Sequence, residues 1–156
     1  MTKQELYESV LAMEESLLEG QKYECTILAN SSALLYEQLP DLNWAGYYVL
    51  KDGKLILSSF QGKVACMEIP LGKGVCGTAA NTGETQLVKN VHEFPGHIAC
   101  DSASNSEIVI PLTVDGELYG VLDIDSPLLE RFDETDQIYL EKFALIICRL
   151  LENCEK

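Results

Sequence analysis

The segment Glu107–Asp125 reads EIVIPLTVDGELYGVLDID, and it constrains the fold more than any other stretch of the chain. Two runs of apolar, largely branched residues flank an Asp115-Gly116 pair, the signature of a β-hairpin. Strands this apolar belong at the centre of a sheet with both faces covered. Each run nevertheless carries carboxylates at its outer end, Glu107 on the first and Asp123 and Asp125 on the second. Side chains alternate across a strand, so Asp123 and Asp125 share a face. Register decides whether Glu107 joins them. A plain two-residue turn at Asp115-Gly116 sets Glu107 opposite Ile124, on the wrong face. A three-residue or bulged turn with Gly116 left-handed sets it opposite Asp123 or Asp125. The bulged form is expected if the three acids make one site. A merely solvated strand end is the competing reading for Asp125, beside Ser126-Pro127.

Ahead of the hairpin lie Cys66, Cys76 and Cys100 in loop-like settings, and thiols beside clustered carboxylates suggest redox chemistry on a small polar molecule. Cys76 falls near the start of a short helix expected over Val75–Asn81, where partial positive charge favours thiolate; a small residue packed under the helix is the equal alternative. The run containing Gly72 and Gly74 lacks both the phosphate-loop pattern and the G-x-G-x-x-G spacing. Cys100 stands in a long polar loop, HEFPGHIACDSASNS, of the kind that is often functional in a compact domain. His92 and His97 share this region, but there is no Cys-x-x-Cys pair and the spacings are irregular, so no metal site is expected.

The remaining elements read as scaffold. Leu6, Val10, Met13 and Leu17 mark an amphipathic helix over Lys3–Leu18 that ends at Gly20. A second helix is expected over Lys22–Gln38, with Cys25, Leu28, Ala29, Leu35 and Leu39 on one face and Cys25 buried as a small hydrophobe. NWAGYYVL and KLILSSF form a hairpin through an Asp-Gly turn. It places Trp44, Gly46 and Tyr48 on one face, either as core or as an apolar ligand wall in which Gly46 leaves room between the rings. A short strand is expected over Ala65–Ile69 and another in ETQLVKNV. Asp133 or Thr135 caps a final helix with Tyr139, Phe143, Ile146, Ile147 and Leu150 buried. Cys148 lies inert beside that stripe, and Cys154 is exposed near the terminus.

With 156 residues, 47% of them hydrophobic, the chain suits one domain with a sizeable core. The order of elements predicts an α+β fold, a mostly antiparallel central sheet with helices on one face and ligand-site loops on the other. The net charge of −14 disfavours nucleic acid and anionic membrane as partners. No apolar run is long enough to span a bilayer and no signal-peptide core follows Met1, so the chain is expected to be cytoplasmic. In a reducing compartment six cysteines are not a disulfide framework.

NWAGYY, GKGVCGTAA, FPGHIACDSASNSEIVIPL and GVLDIDSP together resemble the free methionine-R-sulfoxide reductases, single-domain enzymes of the GAF fold. The resemblance runs from about Asn43 through the final helix. It implies one GAF-like domain over 1–156, with N-terminal helices in 1–40, sheet and active-site loops in 43–125, and the C-terminal helix in 134–153. It also implies roles. Cys100 matches the catalytic nucleophile, which becomes a sulfenic acid as methionine leaves. Cys66 matches the resolving cysteine, and Cys76 a second cysteine able to join the relay. Glu107, Asp123 and Asp125 correspond to substrate-binding acids, and Trp44 and Tyr48 to aromatics around the methyl-sulfoxide end.

Chemistry supports the same assignment. Sulfoxide oxygen leaves only when protonated or strongly hydrogen bonded, so the nucleophile needs an acid, and crowded carboxylates can keep Glu107 or Asp125 protonated. An ionised acid such as Asp123 can hold the substrate ammonium. A disulfide with Cys66 or Cys76 would follow, reduced by an external dithiol such as thioredoxin, with no metal or organic cofactor. The alternatives are a GAF sensor that binds a ligand without turnover and a redox switch using the same disulfide. The amphipathic front helices make a homodimer an expectation.

Overall fold

The Asp52-Gly53 and Asp115-Gly116 pairs both turn with positive φ, and each closes a tight hairpin. In the computed structural model, which describes residues 1–97 and 103–154, these hairpins supply the four long strands of one sheet. They are β1 (Trp44–Lys51) with β2 (Lys54–Gly62), and β5 (Ser106–Val114) with β6 (Glu117–Ser126). Short strands β3 (Glu68–Pro70) and β4 (Gln86–Val88) complete the order β3-β2-β1-β6-β5-β4, with every pairing antiparallel. The helices are α1 (Lys3–Leu18), α2 (Glu24–Gln38), α3 (Gly74–Thr82) and α4 (Glu134–Glu152). This is the α+β arrangement expected from the sequence. Its third strand is shorter and later than the expected Ala65–Ile69.

Strand alternation divides the core in two. Tyr47, Ile108, Ile110, Leu112, Leu122 and Ile124 face α1, α2 and α4. Trp44, Tyr48, Leu55, Val109 and Val121 face α3 on the opposite side. Glu107, Asp123 and Asp125 lie in step with Val109 and Val121, so they emerge on the α3 side. The register that achieves this differs from the expected one in where it is set. The turn is a plain two-residue one, with Val114 opposite Glu117, and the irregularity comes between Leu112 and Thr113, where the partner jumps from Gly120 to Leu118. The extra residue, Tyr119, shifts the pairing by one and sets Glu107 opposite Asp125. Gly120 is required here, because a Cβ would collide with the Tyr48 carbonyl of the neighbouring strand.

The helix stripes are rotated relative to the sequence reading. In α1 the buried residues are Tyr7, Val10, Glu14 and Leu18, whereas Met13 and Leu17 are exposed. Tyr7 turns inward because its hydroxyl donates to Asp136 Oδ1 at 2.6 Å. Asp136 is wholly buried and also accepts from Lys3 Nζ at 2.8 Å, Arg131 at 3.2 Å and the Asp133 amide at 2.8 Å. It joins α1 to the capping box of α4, in which Asp133 is the N-cap. In α2 the buried side is Ile27, Leu28, Ser31, Ser32 and Leu35, and Cys25 and Ala29 are exposed rather than buried. Ser31 tolerates burial by donating to the Ile27 carbonyl at 2.7 Å and meeting the Tyr47 hydroxyl at 2.8 Å. In α4 the stripe is Leu140, Phe143, Ala144, Ile147, Cys148 and Leu151, one step round from the expected Tyr139, Ile146 and Leu150. Cys148 therefore lies on the stripe, and Cys154 is half-buried against it rather than exposed.

Candidate active site

β1 runs antiparallel to β6 with Trp44 opposite Asp125, Gly46 opposite Asp123 and Tyr48 opposite Val121. The aromatic face of one strand therefore lies directly beside the acidic face of the other. Trp44 and Tyr48 stack with ring centroids 5.9 Å apart, and Trp44 stacks on Phe60 at 5.1 Å. Gly46 serves that second contact. A Cβ there would strike Phe60, so its space is filled by β2 and is not left open for a ligand between the rings. Trp44 Nε1 donates to the Lys63 carbonyl at 3.2 Å, and the Tyr48 hydroxyl donates to the Cys66 carbonyl at 2.9 Å. The aromatic wall thus holds the loop that carries Cys66.

Together with Cys76, Ile69, Lys73, Val75, His97 and Ser104, the wall and all three acids line one cavity. Glu107, Asp123 and Asp125 are 7%, 5% and 8% exposed, so their interactions are little screened by water. Burial pushes the Glu107 carboxyl well above its usual range, and the neighbouring Asp123 and Asp125, to which it is hydrogen bonded, push it further. Burial and the two neighbouring aspartates therefore favour the protonated form of Glu107. Burial also raises Asp123, while hydrogen bonds to Glu107, Cys76 and Asp125 oppose the rise. Asp123 Oδ1 is buried with no hydrogen-bond partner among the described residues. A buried carboxylate oxygen left open in this way is a seat for a donor that arrives from outside.

Cys76 does not follow the helix-terminus expectation. It lies in the first turn of α3, but burial and then Asp123, Glu107 and Asp125 push its thiol well above the ordinary value. Enclosure and three facing acids outweigh the partial charge of a nine-residue helix, so the proton stays on sulfur. Cys76 Sγ and one oxygen each of Glu107 and Asp123 lie within 4.8 Å of one another, a grouping that could hold a cation. Asp123 is already hydrogen bonded to both Cys76 and Glu107.

Cys66 is half-buried and disulfide-bonded, whereas Cys25, Cys76, Cys148 and Cys154 are free thiols. Cys100 lies outside the described residues. The chain just beyond it is firmly held. Ser104 Oγ accepts from Asn43 at 3.0 Å, Asn105 bonds His92 at 2.8 Å and the Pro127 carbonyl at 2.7 Å, and Ser106 donates to the Leu128 carbonyl at 2.6 Å. His97, considered in the sequence only as a metal ligand, lines the cavity, where burial and His92 lower its basicity. Lys73 was missed. The Gly72-Lys73-Gly74 run was legible as a turn into a helix, but only the fold shows that the turn faces the acids.

Comparison with known proteins agrees with this geometry. A GAF domain model matches residues 32–152. The chain is 52% identical over 151 residues to the free methionine-R-sulfoxide reductase of Escherichia coli, covering 97% of this chain and 92% of that one. It is 48% identical over 155 residues to the corresponding enzyme of Saccharomyces cerevisiae, covering 94% and 86%. Among solved structures, it superposes with a TM-score of 0.95 and 43% identity on the free methionine-R-sulfoxide reductase of Neisseria meningitidis in complex with its substrate, covering 98% and 92% of the two chains. The chain belongs to the free methionine-R-sulfoxide reductase family of GAF-domain proteins.

Proposed function

We propose that this protein reduces free L-methionine (R)-sulfoxide to methionine through a cysteine sulfenic acid and an intramolecular disulfide. The observation that carries the reading is the pairing of a buried Glu107, whose carboxyl is pushed well above its usual range, with the open Oδ1 of Asp123 beneath the Trp44–Tyr48 wall. That arrangement offers a proton to a sulfoxide oxygen, a charge to an ammonium group and an apolar surface to a methyl group, all within one cavity.

In this scheme the Cys100 thiolate attacks the sulfoxide sulfur while Glu107 donates its proton to the oxygen. The oxygen then passes from the substrate sulfur to Cys100 Sγ as the S–O bond and the transient S–S bond break, methionine leaves, and Cys100 is left as sulfenic acid. The Cys66 thiol then attacks the Cys100 sulfur and expels water, leaving a disulfide. A thioredoxin-like dithiol reduces that disulfide and is itself oxidised. The raised thiol of Cys76 makes it a poor attacking group, and the disulfide state of Cys66 supports Cys66 as the resolving residue. Such a cycle requires a reducing compartment, which we take to be the cytoplasm; among the described residues no helix is long and apolar enough to cross a membrane. Exposed Met13 and Leu17 on α1 support pairing of two copies through that helix, which sedimentation at two concentrations would test.

Steady-state turnover with thioredoxin, thioredoxin reductase and NADPH tests the relay. Cys100→Ser should abolish turnover of the free (R)-sulfoxide. Cys66→Ser should release one methionine per chain and then stall. Sustained cycling of Cys66→Ser at the parent rate would shift resolution to Cys76.

A further inference from the structure

We infer that Val64 and Met67, which project from the loop carrying Cys66, form the landing surface for the protein dithiol that reduces the Cys66 disulfide. The inference rests on the recycling step of the reductase reading and adds where the reductant binds and that it is a protein. Apart from Met1, Val64 and Met67 are the most exposed large apolar side chains among the described residues, at 88% and 76%. They flank Cys66, which is half-buried and disulfide-bonded. Leu71, also exposed, follows at the far end of the short strand β3.

The loop that presents these side chains is held at its backbone. The Lys63 carbonyl accepts from Trp44 Nε1 at 3.2 Å, the Cys66 carbonyl from the Tyr48 hydroxyl at 2.9 Å, and the Met67 carbonyl from the Leu57 amide at 2.9 Å. Three carbonyls thus turn inward to the sheet while the Val64 and Met67 side chains stand out in water. A fixed apolar surface loses little freedom when it is covered, and methionine adapts to the shape of what covers it. A small thiol needs only a path to the sulfur and makes no use of such a surface. A protein must bring its own thiolate to Cys66, and the residues on either side of Cys66 are the ones it then covers. In the docked state the partner's first thiolate attacks Cys66 Sγ. A bond between the two proteins forms, the existing Cys66 disulfide breaks, and the released sulfur takes up a proton. The partner's second thiol then attacks the partner's own sulfur in that bond, Cys66 leaves as a thiol, and the partner departs oxidised.

Reduction of the full, oxidised chain tests this without any sulfoxide. With thioredoxin, thioredoxin reductase and NADPH, the double variant Val64→Ser/Met67→Ser should be reduced with a kcat/KM about tenfold below the parent, the loss expected of two interface anchors in a brief encounter. Dithiothreitol, too small to use the surface, should reduce parent and variant at similar rates. Thermal melting of the variant within a few degrees of the parent shows that the fold persists. A thioredoxin whose second cysteine is replaced by serine should be trapped on Cys66, as mass spectrometry reads. Equal kcat/KM of parent and variant with thioredoxin, an equal loss with dithiothreitol, no reduction of the parent by thioredoxin, or a trapped bond to a cysteine other than Cys66 would overturn the inference. The expected loss and trapping in a chain that never turns over the (R)-sulfoxide would instead remove the reductase reading and leave the landing surface standing.

Discussion

Replacing Glu107 with glutamine separates the proposed acid from the shape around it. The amide keeps the size of the side chain and can still hydrogen bond Asp123 and Asp125, but it has no proton to give to a sulfoxide oxygen. A positioned general acid contributes a factor of about 10² to 10⁴, or roughly 3–5 kcal/mol of barrier. Because Glu107 acts in its protonated form and its carboxyl lies well above the usual range, turnover in the parent should fall as pH rises through that raised value. Glu107→Gln should lower kcat by about 10² to 10⁴ with little change in KM and should lose that alkaline limb. Stability moves the other way. A carboxyl raised by folding supports the fold below its unfolded value and loses that support as pH climbs, so the glutamine variant should melt higher than the parent in alkali. Stopped-flow single turnover from pH 5 to pH 10, paired with melting curves, reads both effects. A variant within threefold of the parent rate, or one that keeps the alkaline limb, would refute Glu107 as the proton donor.

Three further outcomes follow from the scaffold. Glu14 is wholly buried on α1 with neither carboxyl oxygen partnered, and burial, then Glu15, push it up to about 10. Parent stability should therefore decline from about pH 4.5 toward pH 10, and Glu14→Gln should remove that slope and gain up to roughly 3 kcal/mol at pH 7 by urea denaturation; an unchanged slope would contradict the burial. Asp136→Ala strips one acceptor from Tyr7, Lys3 and Arg131 and leaves a buried cation, so a loss of about 3–5 kcal/mol is expected in denaturant melts, against no change if the network were ornamental. Gly120→Ala drives a methyl group into the Tyr48 carbonyl and should destabilise the sheet by about 1–3 kcal/mol, with a matching fall in Tm; a neutral result would show that the bulge can open.

The order of elements was legible because each carried its own period and its own punctuation: Asp52-Gly53 and Asp115-Gly116 for the hairpins, Asp133 for the last helix. The acidic face was legible too, although the shift that aligns Glu107 with Asp125 sits at Tyr119 rather than in the turn. Nothing local in the sequence distinguishes those two places, since either adds one residue to one strand. The stripes of α1 and α2 were misjudged where a polar residue is buried by a distant partner. Tyr7 turns inward for Asp136, which lies 129 residues away, and Ser31 meets Tyr47 across the sheet interface. The chemistry of Cys76 was hidden for the same reason. Its position near a helix start is a sequence property, while its enclosure by three carboxylates is made only when α3 packs on β5 and β6.

The most direct test of the account is single-turnover reduction by the pre-reduced chain, with free L-methionine (R)-sulfoxide, the free (S) epimer and a peptide-bound (R)-sulfoxide supplied separately. The account predicts one methionine per chain from the free (R) epimer alone, with loss of two thiols and a disulfide that mass spectrometry assigns to Cys66 and Cys100. Equal yields from the peptide-bound sulfoxide, or no methionine from any of the three, would contradict it.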